Sequence, residues 1–262
     1  MSNFSLTTNL LADSTAPTLA SRLALRERPA GQPIMRQDWR ELLFMHWPVP
    51  AEIIQPHLPP RLKVDTYDGM AWLAVVPFQM SKVRTRISPP VRGTSEFLEL
   101  NVRTYVHLDG VPGVWFFSLD ATNALAVWVA RTVFNLPYLR AKMHLESPGP
   151  GLRHFTAERT HAGAPAAHFS ATWKSGSPLP LPEPGSLAFF LTERYCLYAS
   201  NKAQTKLYRG RVAHRPWPLC TAQMLHYESN LLEGHGLPTP VGAPLLHAAG
   251  PVSVELWPMQ RV

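Results

Sequence analysis

The sequence predicts an α+β fold, mainly an antiparallel β-barrel enclosing a cavity, with a few flanking helices. Three observations carry this. The 262 residues contain 27 prolines against 15 glycines, which argues against long uninterrupted helices. Hydrophobic residues make up 45%, with eight Trp, eleven Phe and seven Tyr, ample material for one core. Strand-like runs recur along the chain, roughly ten of them, and an antiparallel sheet of that size curls and closes because open edges invite mispairing.

The runs follow in order. Trp39 to Trp47 reads as a strand or a single helical turn, ended by Pro48. A short helix through Glu52, Ile53 and Ile54 is closed by Pro59-Pro60. Leu62 and Val64 alternate with polar residues up to the turn Tyr67-Asp68-Gly69, and Met70 to Met80 returns as a buried strand. Glu96 to Leu108 alternates over its whole length. Leu98, Leu100, Val102, Thr104, Val106 and Leu108 share one face; Phe97, Glu99, Asn101, Arg103, Tyr105 and His107 share the other, which is a solvent face or the wall of a polar cavity. Asp109-Gly110 makes a hairpin to Val114–Leu119, and a helix capped by Asp120 or Thr122 runs to about Phe134.

Further strands are expected at Arg140–Glu146, His154–Arg159, Ala167–Trp173, Tyr195–Ala199, Leu207–His214 and Val252–Trp257, with a helix at Leu187–Thr192 and a proline-rich loop over Ser175–Pro184. Ala222–Leu232 is ambiguous. Residues 1–30 read as a disordered tail and residues 31–262 as a single domain.

Composition excludes several classes. The net charge of +7 comes from 19 Arg and six Lys that are scattered, so neither a nucleic-acid partner nor a membrane surface is expected. The densest patch, Lys82, Arg84, Arg86 and Arg92, falls in a loop broken by prolines. Cys196 and Cys220 form no C-x-x-C pair, which suits a reducing, cytoplasmic location. No run offers the ~20 apolar residues of a membrane-spanning helix. Phosphate-loop, dinucleotide, nucleophile-elbow and zincin motifs are absent. The regular spacing of His154, His161 and His168 changes face along a strand, so no metal or other cofactor is expected.

Arg131 is the only charged side chain between Asp120 and Arg140. A guanidinium in so apolar a segment must find an anion or reach water, and that singles it out as a candidate site residue.

The strands FLELNVRTYV and VWFFSLD, the turn DGVPG between them, the helix ending in AR with NLPY after it, and the later segments LTERYCLY and HRPWPL resemble the DUF2071 (YqjF-like) family, over roughly residues 33–258. That family is similar at fold level to acetoacetate decarboxylase, whose closed antiparallel barrel holds a cavity and a Schiff-base lysine. The resemblance places Arg131 at the decarboxylase arginine, Pro137 at its proline and Tyr138 at the lysine, with Thr132 in place of a glutamate and Glu99 matching a glutamate on the preceding strand. A phenol forms no imine, so decarboxylation by that covalent route is not expected, and Lys142 reads as an exposed strand lysine rather than a substitute.

Glu99, Arg131 and Tyr138 are therefore the candidate catalytic residues, and Arg103, Glu193, Arg194 and Tyr195 the candidate ligand-binding residues. Arg131 clamps a ligand carboxylate or enolate, or else pairs with Glu99 or Glu193 and pins helix to barrel. Glu193 and Arg194, being adjacent, face opposite ways on a strand. The expected partner is a small molecule, a carboxylate or carbonyl compound handled by acid/base chemistry. A non-catalytic binder and a scaffold stay open as alternatives, as does a homo-oligomer.

Overall fold

The computed structural model describes residues 15–90 and 95–262, so Arg92 of the basic patch lies outside the described residues. Strands in chain order are β1 (Met35–Arg40), β2 (Leu42–Pro50), β3 (Lys63–Val64), β4 (Met70–Thr85), β5 (Phe97–Leu108), β6 (Val111–Ala121), β7 (Tyr138–Gly149), β8 (Leu152–Arg159), β9 (His168–Pro178), β10 (Cys196–Ser200), β11 (Leu207–Ala213), β12 (Leu219–Ser229), β13 (Leu245–Ala249), β14 (Val252–Leu256) and β15 (Gln260–Arg261). Helices are α1 (Leu19–Ala24), α2 (Ala51–Ile54), α3 (Ala124–Val133) and α4 (Leu187–Thr192).

All these strands join one sheet whose pairings close twice. One circuit runs β4-β1-β14-β11-β10-β6-β5; a larger one runs β6-β7-β8-β9-β12-β13-β2-β4-β5. β4, β5 and β6 belong to both. Pairing is antiparallel except where β6 meets β7 and β10. The parallel β6–β7 pair needs a crossover, and α3 supplies it.

This sharing explains the double alternation of β5. Leu100, Val102, Val106 and Leu108 face the larger circuit, with Met45, Trp47, Phe155, Phe169 and Trp173. Phe97 faces the smaller one, with Val76, Phe78, Val252 and Val254. Glu99, Asn101, Tyr105 and His107 on that second face are buried and Arg103 is half-buried, so the face is internal rather than a solvent face.

The hairpin β5–β6, the turns at Asp68-Gly69 and Asp109-Gly110 and the helix over Leu187–Thr192 stand where the sequence puts them. Asn123 caps α3, accepting from the Leu125 and Ala126 amides, whereas Asp120 pairs with Arg159 inside the protein. The ambiguous Ala222–Leu232 stretch is mostly strand β12.

The reading of residues 1–30 as a disordered tail needs correction from Thr15 onward; residues 1–14 lie outside the described residues. Thr18 caps α1, and Arg22, Arg26 and Arg28 reach Asp65, Glu193 and Glu255. The same three guanidiniums lie over Phe190, Phe189 and Trp257. Charge pairing and flat stacking fasten a segment whose apolar content alone gives no reason for order.

At Gly113 on β6 a methyl group would stand 2.7 Å from Cε2 of Tyr198 and 3.1 Å from the Cys196 carbonyl oxygen. The Tyr198 hydroxyl is itself held by the Val111 carbonyl at 2.8 Å. Gly113→Ala should therefore destabilise by about 1–3 kcal/mol in urea titration. An unchanged midpoint would show that the ring yields.

Candidate functional site

Tyr138 opens β7 immediately after Pro137, and Glu99 lies on β5 across β6. The Tyr138 hydroxyl donates to Glu99 Oε2 at 2.7 Å, and both side chains are buried. Burial raises the Glu99 carboxyl to about 8, with hydrogen bonds from Tyr138 and Asn101 holding it back and the Asp120 charge adding to the rise. The Tyr138 phenol is pushed well above its ordinary value by burial and then by Glu99. The carboxyl is thus mostly protonated at neutral pH, a proton store beside a phenol.

Tyr138 borders a cavity of ≈ 300 Å³. Phe97, Met80, Val129, Ala130, Leu197 and Val212 form much of its apolar wall, and α3 lies along one side. Glu99 follows Phe97 by two residues on the same face of β5. Tyr138 thus stands at the wall of an apolar cavity with the buried Glu99 acid hydrogen-bonded to it.

Arg131 is not part of this arrangement. It is exposed, and its Nη1 donates to the Tyr138 carbonyl oxygen at 2.7 Å. It pairs with neither Glu99 nor Glu193, contrary to expectation. The helix buries only Val127 and Ala130 and leaves Leu125, Trp128 and Val133 exposed, so the apolar segment is not enclosed on most sides. Arg131, in the last turn of α3, instead reaches past the helix end to the first carbonyl of β7. Its side chain lines a separate outer cleft with Trp115, Phe117 and Lys202.

Glu193, Arg194 and Tyr195 are buried but occupied by the protein itself. Glu193 accepts from the Tyr195 hydroxyl, from Arg26 and from the Trp217 amide. Arg194 turns the other way and donates to Asp65 Oδ2 at 2.6 Å and to the Phe190 carbonyl. Asp65 also receives both terminal nitrogens of Arg22, at 2.7 and 2.6 Å. The room left between α1 and these residues is ≈ 10 Å³, space for one water.

Arg103 differs. Its guanidinium lies 5.2 Å from the Phe44 ring and 5.8 Å from the Tyr105 ring. Its Nε is buried with no hydrogen-bond partner among the described residues. Sequence reasoning overlooked two residues near it, His46 and His247, because each sits in an ordinary apolar run; only cross-strand register brings them together.

All six lysines, Lys63, Lys82, Lys142, Lys174, Lys202 and Lys206, are exposed. Among the described residues no cluster of three or more His, Cys, Asp or Glu is placed to hold a metal ion. No helix among them is long and apolar enough to cross a membrane.

Comparison with solved structures shows the same fold at low identity. The enduracididine biosynthesis enzyme MppR, in complex with the condensation product of pyruvate and imidazole 4-carboxaldehyde, matches with TM-score 0.62 at 14% identity, covering 88% of this chain and 90% of that one. An acetoacetate decarboxylase-like enzyme from Sphingomonas wittichii RW1 gives 0.58 at 13%, covering 88% and 94%. Acetoacetate decarboxylase from Legionella pneumophila gives 0.58 at 12%, covering 97% and 98%. The uncharacterized protein YqjF of Bacillus subtilis (strain 168) is 40% identical over 233 residues, 89% of this chain and 94% of that protein. The profile of DUF2071, an uncharacterized conserved protein family, matches residues 36–253, and with a relative this similar the chain belongs to that family.

Proposed function

We propose that the closed sheet serves as a ligand-holding barrel, and that the cavity beside Tyr138 takes a small, largely apolar molecule with a carbonyl or enolisable group. The Tyr138–Glu99 pair then moves a proton to or from that group. The hydrogen bond between these two residues at the edge of an apolar chamber carries the reading. When the phenol donates to a ligand oxygen, the protonated Glu99 returns a proton to it, so no free charge is left on the tyrosine. Glu99 becomes the carboxylate and recovers its proton from the product or from water.

Imine chemistry is outside this proposal. An imine needs an amine in the chamber, and the exposed lysines provide none there. Borohydride reduction with keto acids should leave no mass adduct. The unpaired state of Cys196 and Cys220 is in keeping with a reducing cytoplasm.

A thermal-shift screen of ketones, β-diketones, enol lactones and aromatic carboxylates provides the first test, since a ligand at ~100 times its Kd stabilises by about 2.7 kcal/mol. For a compound that is turned over, Tyr138→Phe should lower kcat by roughly 10²-fold or more while KM changes little. Saturable binding without product would make the protein a binder and overturn the catalytic half of the proposal. Full activity in both Tyr138→Phe and Glu99→Gln would overturn the site.

A further inference from the structure

Two neighbouring rows of side chains cross the inner face of β5, β4, β2 and β13. Arg103 is in register with Ala74, and Ala74 with His46. Asn101 stands two residues before Arg103, and Phe44, two before His46, is in register with His247. Residues in register or two apart on a strand share a face, so Asn101, Arg103, His46 and His247 look into the same space. Between Arg103 and His46 stands only the methyl group of Ala74.

Each of these four side chains carries a buried polar atom with no partner among the described residues: Asn101 Oδ1, Arg103 Nε, His46 Nδ1 and His247 Nδ1. Buried polar groups are almost always satisfied, so four such atoms gathered on one patch point to an absent bonding partner. The Tyr105 hydroxyl donates to the Leu191 carbonyl at 2.8 Å and so accepts from His46 Nε2 at 2.6 Å. His46 Nδ1 is left as a bare acceptor. Among the described residues Arg103 forms no ion pair, in contrast to Arg194 and Arg159, which are buried against Asp65 and Asp120. Its charge is held over the faces of Phe44 and Tyr105, while the residue keeps part of its surface accessible.

We infer that this patch binds a small hydroxycarboxylate, its carboxylate on the Arg103 guanidinium and its hydroxyl donating to the His46 Nδ1 acceptor. A guanidinium fork matches a carboxylate geometrically, and a hydroxyl supplies the donor that the His46 imidazole lacks. The inference rests on the ligand-holding interior proposed above but on a different side chain, and it adds a polar subsite beyond the apolar chamber at Tyr138.

The test is differential scanning fluorimetry of the full chain with glycolate and acetate, each measured against potassium chloride at equal ionic strength. Glycolate should raise Tm in a saturable way, and acetate less. Arg103→Met should abolish both shifts while raising Tm of the ligand-free protein, because an unpaired interior charge is replaced by apolar volume. Arg103→Lys should keep a weakened shift, which guards against misfolding of the methionine variant. Tyr138→Phe should leave the glycolate shift intact, so the two proposals fail separately. The inference is overturned if neither anion shifts Tm beyond the chloride baseline, if Arg103→Met keeps the shift, or if acetate equals glycolate.

Discussion

Asp65→Ala is expected to destabilise the protein by about 3–5 kcal/mol, the largest loss from any single substitution argued from this structure. Asp65 is buried between Arg22 and Arg194 and accepts from both. Burial alone would raise its pKa, but the two guanidiniums hold it below the ordinary carboxylate value. Removing the carboxylate leaves the buried Arg194 stacked on Phe190 and Tyr105 with no counter-charge. It also frees α1, whose other anchors include Arg26 on Glu193. Urea unfolding should show the loss, and limited proteolysis should show new cleavage near Leu19–Ala24. Arg22→Ala should reproduce the cleavage with a much smaller loss of stability, because the Arg194–Asp65 pair remains. Equal losses in the two variants would mean that the aspartate serves only to hold the amino-terminal segment.

The second large effect concerns pH. The Glu99 carboxyl rises to about 8 from an ordinary value of 4.5. Between those values the folded chain holds a proton that the unfolded chain releases, so this group's contribution to stability is full below about 4.5, falls as pH rises and levels off above about 8. The window is worth up to about 5 kcal/mol. Glu99→Gln keeps an acceptor for the Tyr138 hydroxyl and cannot ionise. It should differ little from the parent at pH 4.5 and be the more stable protein at pH 9, as measured by urea titrations across the range. Curves that run parallel at all pH values would show that Glu99 does not titrate in this way.

How far these features were legible varies with their range along the chain. β5 announced itself by alternation, and the cross-strand pair Glu99–Tyr138 came from the family resemblance at positions 99 and 138, not from spacing. Arg131 was misread because an apolar run says how greasy a helix is, not which side is covered; Leu125 and Trp128 contribute to that run and face outward. The Arg103 patch was only partly visible. Alternation put Arg103 opposite the aliphatic face of β5, but His46 and His247 reach it through register with β4 and β13, which no local pattern specifies. The order of residues 15–30 was hidden for the same reason, since the partners of Arg22 and Arg26 stand 43 and 167 positions away.

The strands common to both closed circuits constrain how this protein can change. Elsewhere in a sheet, a substitution on one side can be relieved by water on the other; β4 and β5 have packed interiors on both sides over most of their length. Shifting β5 by a single position against β4 would push the Glu99 and Arg103 side chains among Leu73 and Val75 and swing Leu100 and Val102 into the polar patch. Variation in the ligand preference of one compartment is therefore tied to the volume of the other, and relatives that bind something different should carry paired replacements on opposite sides of these seam strands.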